Sequence, residues 1–548
     1  MTLPPVDVVV VGAGAAGGIV AEQLSLAGFQ VALLERGPRL QFDQTGHDEL
    51  RSQRTTVLGN AFGPDDQHYV REVLGSGGKA QKVLPSEGAY NNIAACVGGG
   101  TMSYGAMAWR YMPQDFRMRS TYGAPPGSSL EDWPIAYSDL EPYYTRAEWE
   151  IGISGKAGAH PFEPPRGKPY PMPPLPFNQE ATLLAQAARR LGWHPFPIPM
   201  AINSVEYQGR PACIACPHCV GFACEVNAKN STAVTAIPRA LATGHCSLRI
   251  GCVARRIVVD APAEARSVEY FQNNQLYVQP ARAVVVSCSA TESARLLLNS
   301  SEKRFPRGLG NRYDWVGRNL QGHAYAGAYG LFDQLVFDGL GPAARIACCD
   351  FSHELPGGLK GGAMMANEFI RLPYLFSRQV LPPGVPRWGR EHKNFVRTYY
   401  KRSIGIKAPV QEMPVFESRV ELSPDLTDSW GIPTLRLSGH RHSHDLEVAR
   451  FIAAKCEAWL KAAGAVRTWI TLPGSGLSGG QHQAGTCRMG GDPKTSVVDR
   501  YCRVHDMDNL YVIDGSVHVN NGGFNPSLTI QALAYWASAK MVKDLRKA

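Results

Sequence analysis

The sequence predicts an α/β fold in which a layered parallel sheet is joined to a second, α+β part. Residues 8–11 are a run of valines, residues 15–27 have an alanine-rich helical pattern, and residues 31–34 are apolar again. Strand, tight turn, helix and strand in this order make a Rossmann-like βαβ unit. The alternation returns at residues 268–299, where two strand-like runs precede a helical pattern. Because 548 residues exceed what one hydrophobic core usually fills, two connected domains are expected.

The composition excludes several classes of protein. The net charge of +9 is modest, and residues 387–407 hold seven basic residues against Glu391 alone, so the charge is a local patch and not a nucleic-acid-binding composition. No apolar run approaches the length of a membrane span, so no integral membrane segment is expected, and residues 1–7 do not resemble a secretory signal. The 13 cysteines are mostly scattered singly, which favours a reducing compartment and a cytoplasmic location by default.

Proline marks a connection between the two parts of the chain. Residues 161–199 are dense in proline and include PRGKPYPMPPLP. Proline cannot donate to a helix or to a central strand. We therefore expect this segment to wrap the surface as an extended connection. At the other end of the chain, a helix is expected to begin at Asn525 and Pro526.

The first βαβ unit carries a glycine-rich turn with a known physical role. Gly12, Gly14 and Gly17 give the spacing G-x-G-x-x-G between strand and helix, and Glu35 ends the second strand. The first glycine permits the tight turn, the second lets a pyrophosphate approach the helix N-terminus, and the third allows close helix packing, while the acidic residue accepts from ribose hydroxyls. Ala15 and Arg36 adjoin these positions and are predicted to share the site. The loop alone does not separate FAD from NAD.

Five further segments occur in an order typical of one protein family. They are VGGGTMSYGAMAWRY from Val97, VVVSCSATESARLLLNS from Val284, VGRNLQGH from Val316, SRVELS from Ser418 with GIP at Gly431, and HQAGTCRMGGDPKTSVVDRYCRVHDMDNLYVIDGSV from His482. With the glycine turn, they resemble the glucose-methanol-choline (GMC) oxidoreductases over most of the chain. The stretches WRYMPQDFRMRSTYG and LEPYYTRAEWEIGISG resemble the branch of bacterial gluconate, fructose and glucose dehydrogenase flavoprotein subunits.

The resemblance implies FAD as the cofactor and a Rossmann-like FAD-binding domain interleaved with an α+β substrate-binding domain, the GMC fold. It implies cofactor contacts beyond the glycine turn at Gly99, Gly100, Ser103, Tyr104, Val253, Asp514, Gly515, Asn525 and Pro526. Some relatives attach FAD covalently through a histidine two residues after the threonine of their flavin-contacting turn. Ser103 stands at that position here, so a non-covalent flavin is expected.

Cofactor and substrate segments are predicted to alternate along the chain. The FAD-binding domain comprises residues 1–120, 246–328 and 476–548, the last with the catalytic pair; residues 121–245 form a substrate or cap segment with the proline-rich and cysteine-rich stretches, and residues 329–475 form the substrate-binding domain.

The resemblance also implies the catalytic residues. Alcohol oxidation needs a base for the hydroxyl proton, an acceptor for the hydride and a donor to the developing alkoxide. His482 matches the family's catalytic histidine and Asn525 the paired position that faces the substrate oxygen, with flavin N5 as the hydride acceptor. Asn525 also precedes a proline, so it could cap the last helix as well. His440, His442 and His444 are expected to have structural roles only.

Four cysteines lie close together in the sequence. Cys213, Cys216, Cys219 and Cys224 give the spacing C-x2-C-x2-C-x4-C, which suits an iron–sulfur cluster or zinc. Dehydrogenase relatives carry a 3Fe–4S cluster in this region, on a run that begins with two adjacent cysteines. This chain has CIAC instead. The alternative interpretation is a packed turn of reduced thiols.

A basic amphipathic helix is predicted at residues 388–401. It would place Trp388, Phe395 and Tyr399 on one face and Arg390, Lys393, Arg397 and Lys401 on the other. A core-facing aromatic stripe is one interpretation. Docking to an acidic redox partner or an anionic membrane is the other.

The sequence therefore predicts an FAD-dependent enzyme that oxidises a CH–OH group of a sugar, sugar derivative or polyol and passes electrons to a quinone, dye or protein acceptor. One alternative is an oxidase that reduces oxygen, and another is a flavin-bearing electron-relay subunit of a complex. An NAD enzyme is disfavoured because FAD-contacting segments recur to the C-terminus. A small subunit or redox partner is a further expectation. Some relatives of the dehydrogenase branch are exported with a small subunit that carries the signal. A periplasmic location through such a partner is therefore the alternative to the cytoplasm.

Overall fold

The computed structural model describes residues 1–50, 62–66, 69–75, 78–87, 93–261, 263–478 and 480–547. Its strands are β1 (Val6–Val11), β2 (Val31–Leu34), β3 (Arg71–Leu74), β4 (Ala80–Val83), β5 (Phe196–Pro197), β6 (Cys246–Arg249), β7 (Val253–Ala261), β8 (Glu264–Gln272), β9 (Gln275–Val286), β10 (Ala324–Leu331), β11 (Ile346–Cys348), β12 (Met365–Asn367), β13 (Ser403–Val410), β14 (Arg419–Thr427), β15 (Pro433–Ser438), β16 (Arg467–Thr471) and β17 (Leu510–Val512).

The α-helices vary widely in length. They are α1 (Gly17–Leu26), α2 (Phe42–Thr45), α3 (Gly100–Ser103), α4 (Met118–Tyr122), α5 (Tyr137–Ile151), α6 (Gln179–Arg190), α7 (Ala236–Ala242), α8 (Ala290–Asn299), α9 (Pro373–Gln379), α10 (Gly389–Tyr399), α11 (Ser443–Ala462) and α12 (Ser527–Leu545). Short 3-10 helices occur at Pro85–Glu87, Pro113–Arg117, Pro356–Gly358 and Gly515–Val517.

The first sheet contains the βαβ unit predicted at the N-terminus. Its order is β6-β2-β1-β9-β8-β7, and β17 pairs with the carboxyl end of β9. Strands β6, β2, β1, β9 and β17 are parallel where they pair, so their carboxyl ends meet at one edge. Helix α1 lies against β1 and β2 and packs on α7 and α12. This edge is where an open α/β sheet binds its ligand.

The second sheet is antiparallel and has its own core. Its order is β16-β10-β13-β12-β11-β5. Helix α11 lies against β10 and β13, and α6 packs on α11. Trp459 of α11 is fully buried between these layers, and its indole N–H donates to the Leu184 carbonyl of α6 at 2.8 Å.

A small third sheet joins distant parts of the chain. Strand β15 pairs antiparallel with β14 and parallel with β3, which pairs with β4. Residues 329–475 thus supply strands to both the second and the third sheet, and the third sheet takes its other two strands from residues 71–83. The predicted domain boundaries stay a prediction.

The predicted elements of the cofactor layer are confirmed. Residues 8–11 lie in β1, residues 31–34 are β2, and residues 283–286 end β9, after which α8 begins. The first helix starts at Gly17 and not at residue 15, because the glycine turn extends to Ala16. Among the described residues, no helix has both the length and the apolarity needed to cross a lipid bilayer.

The expectation of one extended connection over residues 161–199 is wrong in part. The PRGKPYPMPPLP run forms no helix and makes only an isolated bridge at Met172, as proline chemistry requires. Helix α6 follows within the same segment, because the stretch after Pro176 has no proline until Pro195 and is rich in alanine and leucine. The Asn178 side chain caps this helix by accepting from the N–H of Ala181 at 2.9 Å.

The basic helix is present as α10, but its apolar face differs from the prediction. Phe395 is buried and stacks on Phe376 with 5.9 Å between ring centroids, and Tyr399 packs beside it. Trp388, predicted on the same face, is 83% exposed. Gly389 has a φ of +86°, so the chain turns before the helix starts and Trp388 is not in helical register. The core-facing interpretation therefore holds for Phe395 and, in part, for Tyr399, but not for Trp388.

Candidate active site

A cavity at the carboxyl edge of the parallel strands collects most of the residues predicted to hold the cofactor. Its wall includes Gly12, Gly14, Ala15, Glu35, Arg36, Gly99, Gly100, Val253, Asp514, Gly515, Pro526 and the predicted base His482. Four predicted residues, Gly17, Ser103, Tyr104 and Asn525, are not part of that wall. Most of the predicted set therefore comes together around one space, from segments far apart in the chain.

The three glycines of the turn serve two different purposes. Gly12 has a φ of +102°, and a Cβ there would lie 2.3 Å from the Ser287 carbonyl oxygen. A Cβ at Gly17 would lie 1.9 Å from the Gly12 carbonyl oxygen. A Cβ at Gly14 would meet nothing within 4 Å. The outer glycines therefore permit close backbone packing, and the middle one borders open space that a phosphate can approach.

Glu35 is held in place by the glycine turn. Its two carboxylate oxygens accept from the main-chain N–H groups of Ala13 and Gly37, each at 2.9 Å. Burial raises the pKa of the Glu35 carboxyl, and these two N–H groups oppose that rise. Each oxygen keeps a second lone pair, so the carboxylate can still accept from ribose hydroxyls at the cavity wall.

Arg36 belongs to a charged cluster beside the cavity. Its guanidinium lies 3.7 Å from Glu292 and stacks 4.4 Å from the centre of the Tyr69 ring. Burial alone would raise the pKa of Glu292, but Arg36, Arg295 and Arg71 lower it to about 2. This carboxylate is therefore ionised, and it orients Arg36 at the wall.

The second glycine turn approaches the first one closely. Gly99 has a φ of +51°, and a Cβ there would lie 3.0 Å from Cα of Gly14. Ser103 ends the short helix α3, is fully buried, and has a hydroxyl with no hydrogen-bond partner among the described residues. Tyr104 points away from the turn, since its hydroxyl donates to the Asn230 carbonyl.

Asp514 is engaged by the protein itself. Its carboxylate accepts from the N–H groups of Ser516 at 2.8 Å and Ser289 at 3.1 Å and from the Ser293 hydroxyl. Burial raises the pKa of Asp514, and these hydrogen bonds oppose the rise. Asp514 thus joins the turn after β17 to the start of α8 at the wall, next to Gly515.

His482 lies on the cavity wall, and Asn525 lies beside it, next to Pro526 of the wall. Nδ2 of Asn525 is 3.2 Å from Nε2 of His482, and Oδ1 of Asn525 accepts from the indole N–H of Trp109 at 3.0 Å. The expected second role of Asn525 as a helix cap is wrong, because Pro526 occupies the N-cap of α12 and no side chain caps it. The Asn525 side chain instead bonds to Trp109 and His482.

Hydrogen-bond chemistry determines the tautomer of His482. An indole N–H can only donate, so Oδ1 of Asn525 must face Trp109 and its NH₂ group must face His482. Nε2 of His482 therefore accepts, and its proton is on Nδ1. Nδ1 lies 2.7 Å from Nδ1 of His323, whose Nε2 lies 2.9 Å from the Gly522 carbonyl oxygen. That carbonyl can only accept, so His323 donates through Nε2 and accepts through Nδ1.

Burial maintains this arrangement. It lowers the pKa of His323, which favours the neutral ring that the chain of hydrogen bonds requires. The His482 backbone has a φ of +56°, and its carbonyl is held by the Asn521 side-chain amide. His482 thus presents an Nε2 lone pair at the cavity, the form in which an imidazole acts as a base.

Three residues of this site were not predicted. Trp109 lies in the WRY segment and His323 at the end of VGRNLQGH, so both belong to quoted motifs, but nothing in the motifs assigns them a role. Tyr325 lies two residues further on, with its ring centroid 6.1 Å from that of His482. Its hydroxyl is buried and has no partner among the described residues.

The four predicted cysteine ligands lie in one turn, residues 213–224. Within the described part of the chain, which contains all four, the one group of potential ligands close enough to share a single ion includes Cys216 but none of the other three. Buried Lys229 organises this turn, because its ammonium donates to the carbonyls of Cys219, Phe222 and Tyr104. The four-cysteine cluster stays a prediction.

The fold and the site together define a class of protein. A dinucleotide cradle beside a histidine whose Nε2 accepts from a paired amide donor is typical of redox enzymes that take a proton and a hydride from an alcohol.

Comparison with known proteins places the chain within that class. Two family models, both described as GMC oxidoreductase, match residues 8–325 and 414–534. The chain is 32% identical to paromamine 6'-oxidase of Streptomyces fradiae, over 98% of this chain and 92% of that protein. It is 28% identical to the gluconate 2-dehydrogenase flavoprotein of Pantoea cypripedii, over 99% and 94%. This protein belongs to the GMC oxidoreductase family.

The fold agrees with a solved structure of low sequence identity. The crystal structure of pyridoxine 4-oxidase from Mesorbium loti superposes with a TM-score of 0.63 at 19% identity, covering 97% of this chain and 98% of that one. The predicted fold class and family resemblance are both confirmed.

The residues present fit the FAD that this family binds. Gly14 borders open space, and Gly99 approaches it so closely that a side chain would narrow that space. Ser289 at the cavity wall also has a buried hydroxyl without a partner among the described residues, and it is available to a phosphate or ribityl oxygen.

His323 should control the tautomer of His482 and therefore the rate of flavin reduction. We expect His323→Leu, which cannot accept from Nδ1, to slow flavin reduction by substrate about 10²-fold, the scale of a misoriented general base. His323→Gln, whose amide oxygen can accept, should retain most of the rate. Single-turnover stopped-flow absorbance measures both. Equal losses in the two variants would contradict the tautomer argument.

Proposed function

We propose that this protein oxidises a secondary or primary CH–OH group of a sugar, sugar derivative or polyol and passes the electrons to a quinone, dye or protein acceptor. The observation that carries the proposal is the chain of hydrogen bonds from Trp109 through Asn525 and His482 to His323, which leaves a basic lone pair at the cofactor cavity. The relatives support the substrate class, because paromamine and gluconate, from which two of them take their names, are both polyhydroxylated.

The chain's own residues account for the proton and the substrate oxygen. A substrate hydroxyl can replace the 3.2 Å contact between Asn525 and His482. Its proton then points at Nε2 of His482, and its oxygen accepts from the Asn525 amide. His482 takes the proton as the C–H bond breaks, and His323 stabilises the imidazolium by accepting from Nδ1. FAD, when bound, supplies the acceptor for the hydride.

Aromatic side chains enclose the place where the substrate must lie. The Trp109 ring packs against Phe196 and Phe524, with centroids 5.9 and 5.8 Å away. Tyr325 packs against Phe369 with centroids 6.5 Å apart and lies 6.1 Å from the His482 ring. These rings give the site an apolar surface, and the unpartnered Tyr325 hydroxyl offers a hydrogen bond to a second substrate hydroxyl.

An oxygen-reducing oxidase is the second candidate function, because a relative at 32% identity is named as an oxidase. A small subunit or redox partner, and a periplasmic location through such a partner, remain proposals that follow from the dehydrogenase candidate. With no partner, the default proposal is a cytoplasmic enzyme.

Removal of the base tests the reaction. We expect His482→Ala to slow flavin reduction by sugar or polyol substrates by about 10²–10⁴-fold, the usual contribution of a general base. The visible FAD spectrum should be retained, because the two glycine turns and Glu35, which line the cofactor cavity, are unchanged. His440→Ala is the matched control, since His440 is an exposed histidine with no predicted catalytic role. Near wild-type flavin reduction in His482→Ala would show that His482 is not the base. If the protein is an electron-relay subunit, no sugar or polyol should reduce the flavin of the wild-type enzyme.

The electron acceptor is decided by reoxidation of the reduced flavin. If the protein is a dehydrogenase, a soluble quinone should reoxidise the reduced flavin at least about tenfold faster than air-saturated buffer does. Stopped-flow absorbance measures both rates. The reverse order of rates would establish the oxidase.

Tyr325→Phe tests the substrate hydroxyl contact. Loss of one neutral hydrogen bond of about 1 kcal/mol should raise the substrate Kd roughly five- to tenfold, with little change in the limiting rate of flavin reduction. The midpoint of thermal unfolding should not fall, because the native hydroxyl has no described partner to lose. Tyr277→Phe, whose hydroxyl bonds only to Gln275 among the described contacts, is the control. An unchanged Kd would exclude Tyr325 from substrate binding.

A further inference from the structure

Three potential metal ligands meet outside the active site. The imidazoles of His47 and His218 stack with 4.2 Å between centroids and 13° between ring planes. A ligand nitrogen of each ring and the sulfur of Cys216 lie within 4.8 Å of one another. His47 follows α2, whereas Cys216 and His218 belong to the cysteine turn, so tertiary packing brings them together.

One ring nitrogen of each histidine is buried without a hydrogen bond to the described residues. Nε2 of His47 and Nδ1 of His218 are inaccessible to solvent and have no hydrogen-bond partner among the described residues. A buried polar group left in this way costs about 1–3 kcal/mol. A cation bound by the lone pairs of these two nitrogens would remove that cost.

An aromatic ring and two opposite charges surround the cluster. Phe222 packs edge-on against both imidazoles, with centroids 5.6 and 5.5 Å away. The Glu225 carboxylate and the Lys229 ammonium are each close enough to act electrostatically on His47 and Cys216. Their opposite charges offset each other beside the cluster.

We propose that His47, Cys216 and His218 bind a zinc ion. Two imidazole nitrogens and one thiolate sulfur are a ligand set that zinc prefers, with water or a carboxylate in the fourth position. Tetrahedral bonds of about 2.0–2.3 Å hold ligand atoms roughly 3.3–3.8 Å apart, and each Zn–N bond lies in the plane of its imidazole. The site is therefore completed when one ring turns out of the stack and the ligand atoms draw about 1 Å closer than the present limit. On binding, the Cys216 thiol loses its proton to solvent and the sulfur bonds to the ion, with no change in oxidation state.

The position of the cluster gives the ion a structural role. The cysteine turn, residues 213–224, contacts the second glycine turn directly. The N–H of Gly221 donates to the Ser103 carbonyl at 2.7 Å, and Lys229 donates to the Tyr104 carbonyl at 3.2 Å. A zinc ion would tie the segment after α2 to this turn and so brace the turn on which the isoalloxazine is expected to lie. Zinc is redox-inactive, so the site is not part of an electron path.

The test is metal analysis of the flavin-loaded enzyme. We expect one equivalent of zinc per chain in protein produced in zinc-supplemented medium, and no acid-labile sulfide. Chelator-treated enzyme should rebind one equivalent of Co²⁺ with a thiolate-to-cobalt charge-transfer band and the visible bands of tetrahedral cobalt. His47→Ala, His218→Ala and Cys216→Ser should each lower the bound metal at least about tenfold. Flavin absorbance and thermal unfolding establish that each variant is folded.

Matched cysteine controls distinguish this site from the four-cysteine alternative. Cys213→Ser and Cys219→Ser remove thiols of the same turn and should leave the zinc content unchanged. Loss of metal in these two variants with retention in the histidine variants would overturn the proposal, as would iron with stoichiometric sulfide. Failure of chelator-treated wild-type enzyme to take up either Zn²⁺ or Co²⁺ would overturn it independently of any variant.

Discussion

The hydrogen bond from the Trp109 indole to Asn525 orients the candidate catalytic centre. Because an indole N–H cannot accept, this bond fixes the orientation of the amide, and the amide requires Nε2 of His482 to accept. From the other end, the Gly522 carbonyl fixes the tautomer of His323, which accepts from Nδ1 of His482. Nε2 of His482 is thus basic because the chain of hydrogen bonds begins at a donor, the Trp109 indole, and ends at an acceptor, the Gly522 carbonyl. Each member is buried or partly buried, so water cannot easily substitute for any link.

The partners in this chain come from four distant segments. Trp109 follows the second glycine turn, Asn525 precedes α12, His482 lies in the loop after β16, and His323 precedes β10. The first two belong to the cofactor layer, whereas His323 leads into the antiparallel sheet. The candidate base is therefore oriented only when the two layers are packed together.

Lys229 provides a comparable constraint on the second glycine turn. One buried ammonium gathers the carbonyls of Cys219, Phe222 and Tyr104, so the cysteine turn and the second glycine turn form one unit. Lysine donates three hydrogens and accepts none, so it suits a group of carbonyl acceptors. The same turn brings Cys216 and His218 against His47. The support of the flavin site is thus continuous with the proposed zinc site.

The sequence by itself determined the local features of this protein. Valine runs, an alanine-rich helix pattern and glycine spacing depend on steric rules that act within a few residues, so β1, α1, β2 and the cradle at Gly12, Gly14 and Gly17 were predicted correctly. Ordered motifs also identified the family. Only tertiary packing selects the partners of other residues: His323 beside His482, Lys229 against the carbonyls of the cysteine turn, and Trp388 in solvent. These contacts join segments that are far apart in the sequence and share no periodic pattern. They form only after the sheets and helices have packed, because hydrogen bonds and buried charges need their partners at defined distances and directions.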